Sequence, residues 1–338
     1  MINKKKLVAV LLVVILLALL WTLINSISIN NIVKSSYENK PLIFFTGKAL
    51  GFDFLASMET PRKIFSLKIL NISKEKTNNL WLLRSRDGYI SLVNESGVKV
   101  YGENGKKIAE YSIDNNYRII SSFVADLDKP GEVDIILLSG KKGEEYGRNI
   151  TILLFSNTSA EKLKVKYTYQ FKEFDVWKVQ VADVDGDKKK DISFGAYKKT
   201  PLNPVFAKRP FVFNWQDGGI SPKWLGSRLS MPFDDYIFQD INGDGIDELI
   251  SIEVNQQSQK LIRAYRWKGF GFEGIAVSKC FQDISDIKRG IHITGNEGDI
   301  VVRSRENNIW KWTIMNYNSN EIKIKKATKN DNLLDIYN

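Results

Sequence analysis

The sequence predicts an all-β chain: a β-propeller of about five to seven four-stranded blades, preceded by one N-terminal transmembrane helix. Three observations carry this expectation. An acidic turn recurs at a fixed interval, starting at Asp126, Asp183 and Asp240. Short runs rich in β-branched and aromatic residues, bounded by Gly, Asn, Asp or Ser, follow one another with no long amphipathic helical period. One uncharged run stands near the amino end, and only one.

From the amino end, residues 1–6 form a basic tip with Lys4, Lys5 and Lys6, and residues 7–25 form the candidate signal-anchor. The seventeen residues from Leu7 to Leu23 carry no charge and as a helix would reach about 26 Å, close to the hydrocarbon thickness. Lysines before the run and none directly after it place the tip in the cytoplasm and the rest outside. The alternative is secretion after signal cleavage near Ser26-Ile27-Ser28. Residues 26–40 are polar and read as a tether, leaving 41–338 as the propeller.

Strands are expected at Trp81–Leu83, Tyr89–Val93, Val98–Tyr101, Ile150–Phe155, Leu163–Tyr169, Val176–Val181, Phe211–Trp215 and Ile262–Trp267. A further strand, Ile64–Leu70, is expected to complete the last blade, so that both termini share one sheet and no edge stays open. Residues 41–56 are left as an extra strand pair or part of a sixth blade. Apolar residues at Ile69, Val124, Val181 and Phe238 stand two before their loops, where an inner strand would enter.

The repeated turn is sharpest at Asp240-Ile241-Asn242-Gly243-Asp244-Gly245-Ile246-Asp247-Glu248. Oxygen-bearing side chains at positions one, three, five and nine (Asp240, Asn242, Asp244, Glu248), with the Ile246 carbonyl at position seven, specify a Ca2+ site of hard oxygen ligands. The same stretch occurs as Asp183, Asp185, Asp187 and Asp191, and again from Asp126 to Asp134 with Pro130 at position five. Weaker relatives end at Asn79 and Asp299. Asp, Asn and Gly also dominate plain turns, but turn preference does not explain a recurring acid at position nine.

In the form Asp-x-(Asp/Asn)-Gly-Asp-Gly-x-x-(Asp/Glu) the repeat resembles the FG-GAP, or VCBS, family of integrin α-chain propellers and bacterial surface proteins. The resemblance covers roughly residues 60–315. It implies calcium at Asp240, Asn242, Asp244, Ile246 and Glu248, and at Asp183, Asp185, Asp187, Lys189 and Asp191, with Ile246 and Lys189 through their carbonyls. Lys188 stands where the family has glycine, and the Asp126 loop lacks its central carboxylate.

At 43% hydrophobic and 26% charged, the 338 residues have ordinary globular composition. One cysteine, Cys280, excludes an internal disulfide framework and a cysteine-rich zinc site. The single histidine, His292, alternates with Ile291 and Ile293 and reads as a strand residue, not a catalyst. The net charge of +10 is spread over short lysine groups with no aromatic-interleaved stripe, which argues against nucleic acid and for an anionic surface. No nucleophile elbow, phosphate loop or His-Glu-x-x-His is present. The functional expectation is a membrane-anchored, extracytoplasmic, calcium-binding interaction module for a protein or cell-surface polymer, and not an enzyme. The alternative is a carboxylate-based polysaccharide lyase or hydrolase with its site at the propeller mouth.

Overall fold

Runs of five to fourteen residues, apolar on at least one face and cut by Gly, Asn and Asp turns, form 24 strands among the described residues of the computed structural model. It describes residues 27–37, 40–59, 67–74, 77–84, 89–102, 105–201, 203–226 and 228–337. The expected tip and anchor at 1–6 and 7–25 lie outside the described residues. Among those described, no helix is long and apolar enough to cross a membrane.

The strands fall into six sequential groups of four, each an antiparallel sheet in chain order. Blade 1 is β1 (Ser28–Tyr37), β2 (Lys40–Ala49), β3 (Phe52–Glu59) and β4 (Lys68–Ser73); blade 2 is β5 (Thr77–Arg84), β6 (Tyr89–Asn94), β7 (Gly97–Tyr101) and β8 (Lys107–Ser112). Blade 3 is β9 (Tyr117–Ala125), β10 (Val133–Lys141), β11 (Asn149–Phe155) and β12 (Leu163–Gln170); blade 4 is β13 (Val176–Ala182), β14 (Asp191–Thr200), β15 (Asn203–Gln216) and β16 (Gly219–Trp224). Blade 5 is β17 (Phe233–Gln239), β18 (Glu248–Val254), β19 (Lys260–Trp267) and β20 (Phe272–Ser278); blade 6 is β21 (Asp283–Arg289), β22 (Asp299–Glu306), β23 (Ile309–Asn318) and β24 (Glu321–Ala327).

The first strand of each blade lies beside the first strand of the next, from β1 through β5, β9, β13 and β17 to β21, and the short helix α1 (Gly290–Ile293) then touches β1. The sheets therefore surround one axis. Their inter-blade faces bury apolar side chains, one cluster per boundary: Phe44 with Ile90, Val100 with Ile135, Ile136 with Phe194, Val212 with Phe238, and Ile250 with Ile300. The boundary between blades 6 and 1 joins Ile43 and Phe45 to Val301 and Ile314, and the 3-10 helix η1 (Leu333–Tyr337) inserts Leu333, Leu334 and Ile336 into it. Blades 5 and 6 also share a two-residue parallel pairing, Val277 with Glu321 and Ser278 with Ile322.

The all-β, propeller-like class is as expected, with six blades among the described residues, but closure is not. Blade 6 is complete within Asp283–Ala327, and the early strand β4 pairs with β3 of blade 1. Apolar packing by η1 does the sealing that a shared blade was expected to do. Residues 28–37 of the expected tether form β1, because Ile32 and Val33 have a core to enter. Residues 41–56 supply β2 and most of β3. Val124, Val181 and Phe238 lie on inner strands as expected, whereas Ile69 lies on the outer strand β4 and is exposed. Asn79 belongs to the inner strand β5, so its turn is a link between blades and not a counterpart of the Asp240 loop.

Candidate functional site

The loops starting at Asp126, Asp183 and Asp240 join the first and second strands of blades 3, 4 and 5 and share one turn at position six, while position four is left-handed only at Gly186 and Gly243. The position-one carboxylate accepts the position-six amide in each: Gly131 on Asp126 at 2.6 Å, Lys188 on Asp183 at 2.8 Å, Gly245 on Asp240 at 2.8 Å. Position six is left-handed throughout, with φ of 87° at Gly131, 67° at Lys188 and 85° at Gly245. Glycine accepts this freely, while Lys188 carries the Cβ strain. The position-nine acid caps the loop from beneath, accepting the Leu127 amide on Asp134 at 3.1 Å and the Ile241 amide on Glu248 at 3.2 Å.

Asp183, Asp185 and Asp187 bring carboxylate oxygens within 4.8 Å of one another. Asp191 and Glu248 are buried at the heads of β14 and β18. Lys189 and Ile246, expected as carbonyl ligands, donate their amides to Asp187 and Asp244 at 2.8 and 3.0 Å. Asn242 donates its side-chain amide to Glu248 at 3.2 Å.

A cationic side chain of the chain itself occupies each loop. Lys223 Nζ lies 2.6 Å from Asp185 and 2.8 Å from Asp191, at positions three and nine. Lys166 Nζ holds the same two positions in the Asp126 loop, 2.5 Å from Asp128 and 2.8 Å from Asp134. At Asp240, where position three is the neutral Asn242, the Arg266 guanidinium bridges Asp244 and Glu248 instead. Lys325 Nζ lies 2.8 Å from Asp299 at the head of β22. Burial pushes the Asp191 carboxyl up to about 6, against the pull of Lys223, and pushes Asp134 and Glu248 upward against Lys166 and Arg266. For Asp185 burial also acts upward, but the Lys223 hydrogen bond and charge win and hold it low.

A second constellation stands on the axis. The six inner strands enclose a cavity of about 400 Å³, with α1 and His292 at the end where β21 finishes. Three buried polar atoms on its wall have no hydrogen-bond partner: Trp177 Nε1, Gln180 Oε1 and Arg289 Nε. The Gln180 amide nitrogen donates to the Val179 carbonyl at 3.1 Å, which turns the side-chain oxygen loose. Arg289 stacks over Phe123 at 5.6 Å, with burial lowering its pKa. His292 meets Trp81 edge-on at 5.6 Å; burial first, and Arg289 second, push its imidazole down to about 3, so it is neutral. Lys178 pairs with Asp235 at 2.5 Å and Lys288 with Asp286 at 3.0 Å on the same wall.

His292 is thus in α1 and not in the expected strand: Gly290 admits a tight approach to Asp299 that a Cβ would block, and the chain turns there. Sequence reasoning missed Arg289, Trp177 and Gln180, which only the ring brings together. It also missed the lysines, although a signal existed: Lys166 and Lys223 each follow their position-nine acid by 32 residues.

No family model matches the chain, and no curated protein matches it. Among solved structures it is similar to a candidate 6-phosphogluconolactonase of Bacteroides fragilis NCTC 9343, at 13% identity and TM-score 0.51, over 90% of this chain and 96% of that one. It is also similar to the oligogalacturonate lyase of Vibrio parahaemolyticus, at 11% identity and TM-score 0.52, over 88% of this chain and 85% of that one. At these identities the likeness establishes a propeller-like fold and nothing finer.

Proposed function

We propose that this chain is a ligand-binding propeller module whose axial cavity takes an anionic, hydroxylated ligand, a sugar acid or an acidic unit of a surface polymer. The observation that carries it is the set of unpartnered atoms among the residues lining the cavity: the Trp177 indole N–H and the Gln180 carbonyl oxygen of blade 4 and the Arg289 guanidinium nitrogen of blade 6. Nearly all buried polar groups in native proteins have partners, so three orphans around one cavity mark a guest's position. Two donors and one acceptor suit a carboxylate beside a hydroxyl. Trp81 supplies flat apolar wall against which a sugar ring can lie. With residues 7–25 as an anchor, the mouth would be displayed outside the membrane.

A charge-assisted hydrogen bond contributes about 1.5–3 kcal/mol, so Arg289→Leu should weaken binding of the anion by about 10-fold or more. The test is titration calorimetry and thermal shift with glucuronate and glucose on the full chain and on Arg289→Leu. Glucuronate should bind and raise the melting temperature, glucose should not, and the variant should lose the difference. Equal responses to both sugars, or unchanged glucuronate binding by a folded variant, would refute the reading. A lyase or hydrolase is the second reading, favoured by Asp235 and Asp286 on the same wall. Release of shortened acidic oligosaccharide by the full chain, lost in Asp235→Asn, would select it.

A further inference from the structure

We propose that the chain closes its acidic loops with its own ammonium and guanidinium groups, in the positions where the resembled repeat would place calcium, and that these loops hold no resident divalent ion. The lysines that fill the loops come from register slips in the outer strands. In blade 3 the outer strand slips by one residue against its neighbour, since Leu153 faces Val165 and Ile152 faces Tyr167, leaving Lys166 as the extra residue. In blade 4 the extra residue between Pro222 and Trp224 is Lys223, and in blade 6 the one between Ile324 and Lys326 is Lys325. A bulge re-aims the side chain it inserts. Each of these three is aimed at an acid in the first two residues of the second strand, Asp134, Asp191 or Asp299.

The remaining blades supply the control. Blade 5 has its bulge at the same place, but the inserted residue is Ile275, between Gly274 and Ala276, and there Arg266 of β19 takes over the acid. In blades 1 and 2 the inserted residues are Leu70 and Ile108, and the second strands begin with Lys40 and Tyr89, not with an acid. A cation accompanies the position-nine acid wherever that acid occurs, and among the described blades the bulge lysine is lacking where the acid is. In blades 3 and 4 the ammonium also meets the position-three carboxylate, so it contacts two of the positions a calcium ion would use. Calcium entry would require expelling a tethered, hydrogen-bonded lysine, and Ca2+ at 2.3–2.6 Å from oxygen cannot share that space.

The test uses the full chain in thermal unfolding, with chelator and with millimolar calcium chloride, together with Lys223→Met and Lys166→Met. The wild-type melting temperature is expected to agree within about 1 °C between the two conditions, whereas each variant melts several degrees lower and regains part of the loss with calcium. A wild-type protein that calcium stabilises by several degrees would overturn the proposal. So would lysine variants as stable as wild type without calcium. Should Lys223→Met not fold, the wild-type comparison still decides, and Lys223→Arg, which keeps the charge, should fold and stay insensitive to calcium.

Discussion

Asp183 and Asp247 exchange two hydrogen bonds across the boundary between blades 4 and 5: the Asp183 amide donates to Asp247 Oδ2 at 2.9 Å, and the Asp247 amide donates to the Asp183 carbonyl at 2.8 Å. Gly186 packs beneath Ile246 so closely that a Cβ would lie 2.9 Å from its Cγ1. Two loops 57 residues apart in sequence thus form one bracket.

The bracket predicts an asymmetry between two substitutions. Asp247→Ala strands the buried Asp183 amide and should cost about 1–3 kcal/mol. Asp247→Asn keeps an acceptor and should cost less than about 1 kcal/mol. Urea unfolding of both variants checks this, and equal losses would mean that the carboxylate charge matters more than the hydrogen bond.

His292 gives the chain a proton-linked weakness. Its folded pKa of about 3 lies below the ordinary 6.5, so the stabilisation it brings is complete above about pH 6.5 and is lost as pH falls toward 3. Between pH 6.5 and 5 this should remove about 2 kcal/mol. Denaturation at those two pH values should show a smaller loss in His292→Gln than in wild type.

Arg209 is buried with its guanidinium spent on carbonyls, donating to Lys198 at 2.9 Å, Asn203 at 3.2 Å and Val205 at 3.0 Å. It ties down the long hairpin of β14 and β15. Arg209→Leu leaves those carbonyls short of a donor and should cost about 2–4 kcal/mol. Limited proteolysis should then cut within residues 198–206 sooner than in wild type.

Leu333 is fully buried between blades 1 and 6. Leu333→Ala should cost about 2–4 kcal/mol by cavity formation. Lys329→Ala, exposed in the turn before η1, should be neutral in the same unfolding assay.

The propeller-like class was legible because one kind of turn carries a chemical signature. Asp126, Asp183 and Asp240 mark the same connection in three successive blades, and the turn residues that mark them must recur wherever the backbone repeats its left-handed step. Blades 1 and 2 lack the acid, so no turn signature places residues 41–56 or distinguishes the link before Asn79 from a connection within a blade. Closure was misjudged because the sealing residues, Leu333, Leu334 and Ile336, form a turn too short to announce itself against a rule that open edges be shared. The cavity was illegible for a different reason. Trp81, Trp177 and Arg289 sit on separate blades, and no local pattern records that six strands converge. The lysines were visible as charges, but only the register slip that aims them makes them partners of particular acids.

That no blade among the described residues is shared by the two ends bears on how the wheel is built. Apart from the two-residue contact of β20 with β24, each described strand pairs within its own blade with its chain neighbours, so every blade can be finished from consecutive hairpins as it emerges from the ribosome, with little long-range search. The single demanding event is circularisation, a latch of aliphatic side chains reaching back to the first sheet after the sixth is made. Unlatching should therefore precede loss of any one blade, and amides of β1 and α1 should exchange with solvent before those of β10, β14 and β18.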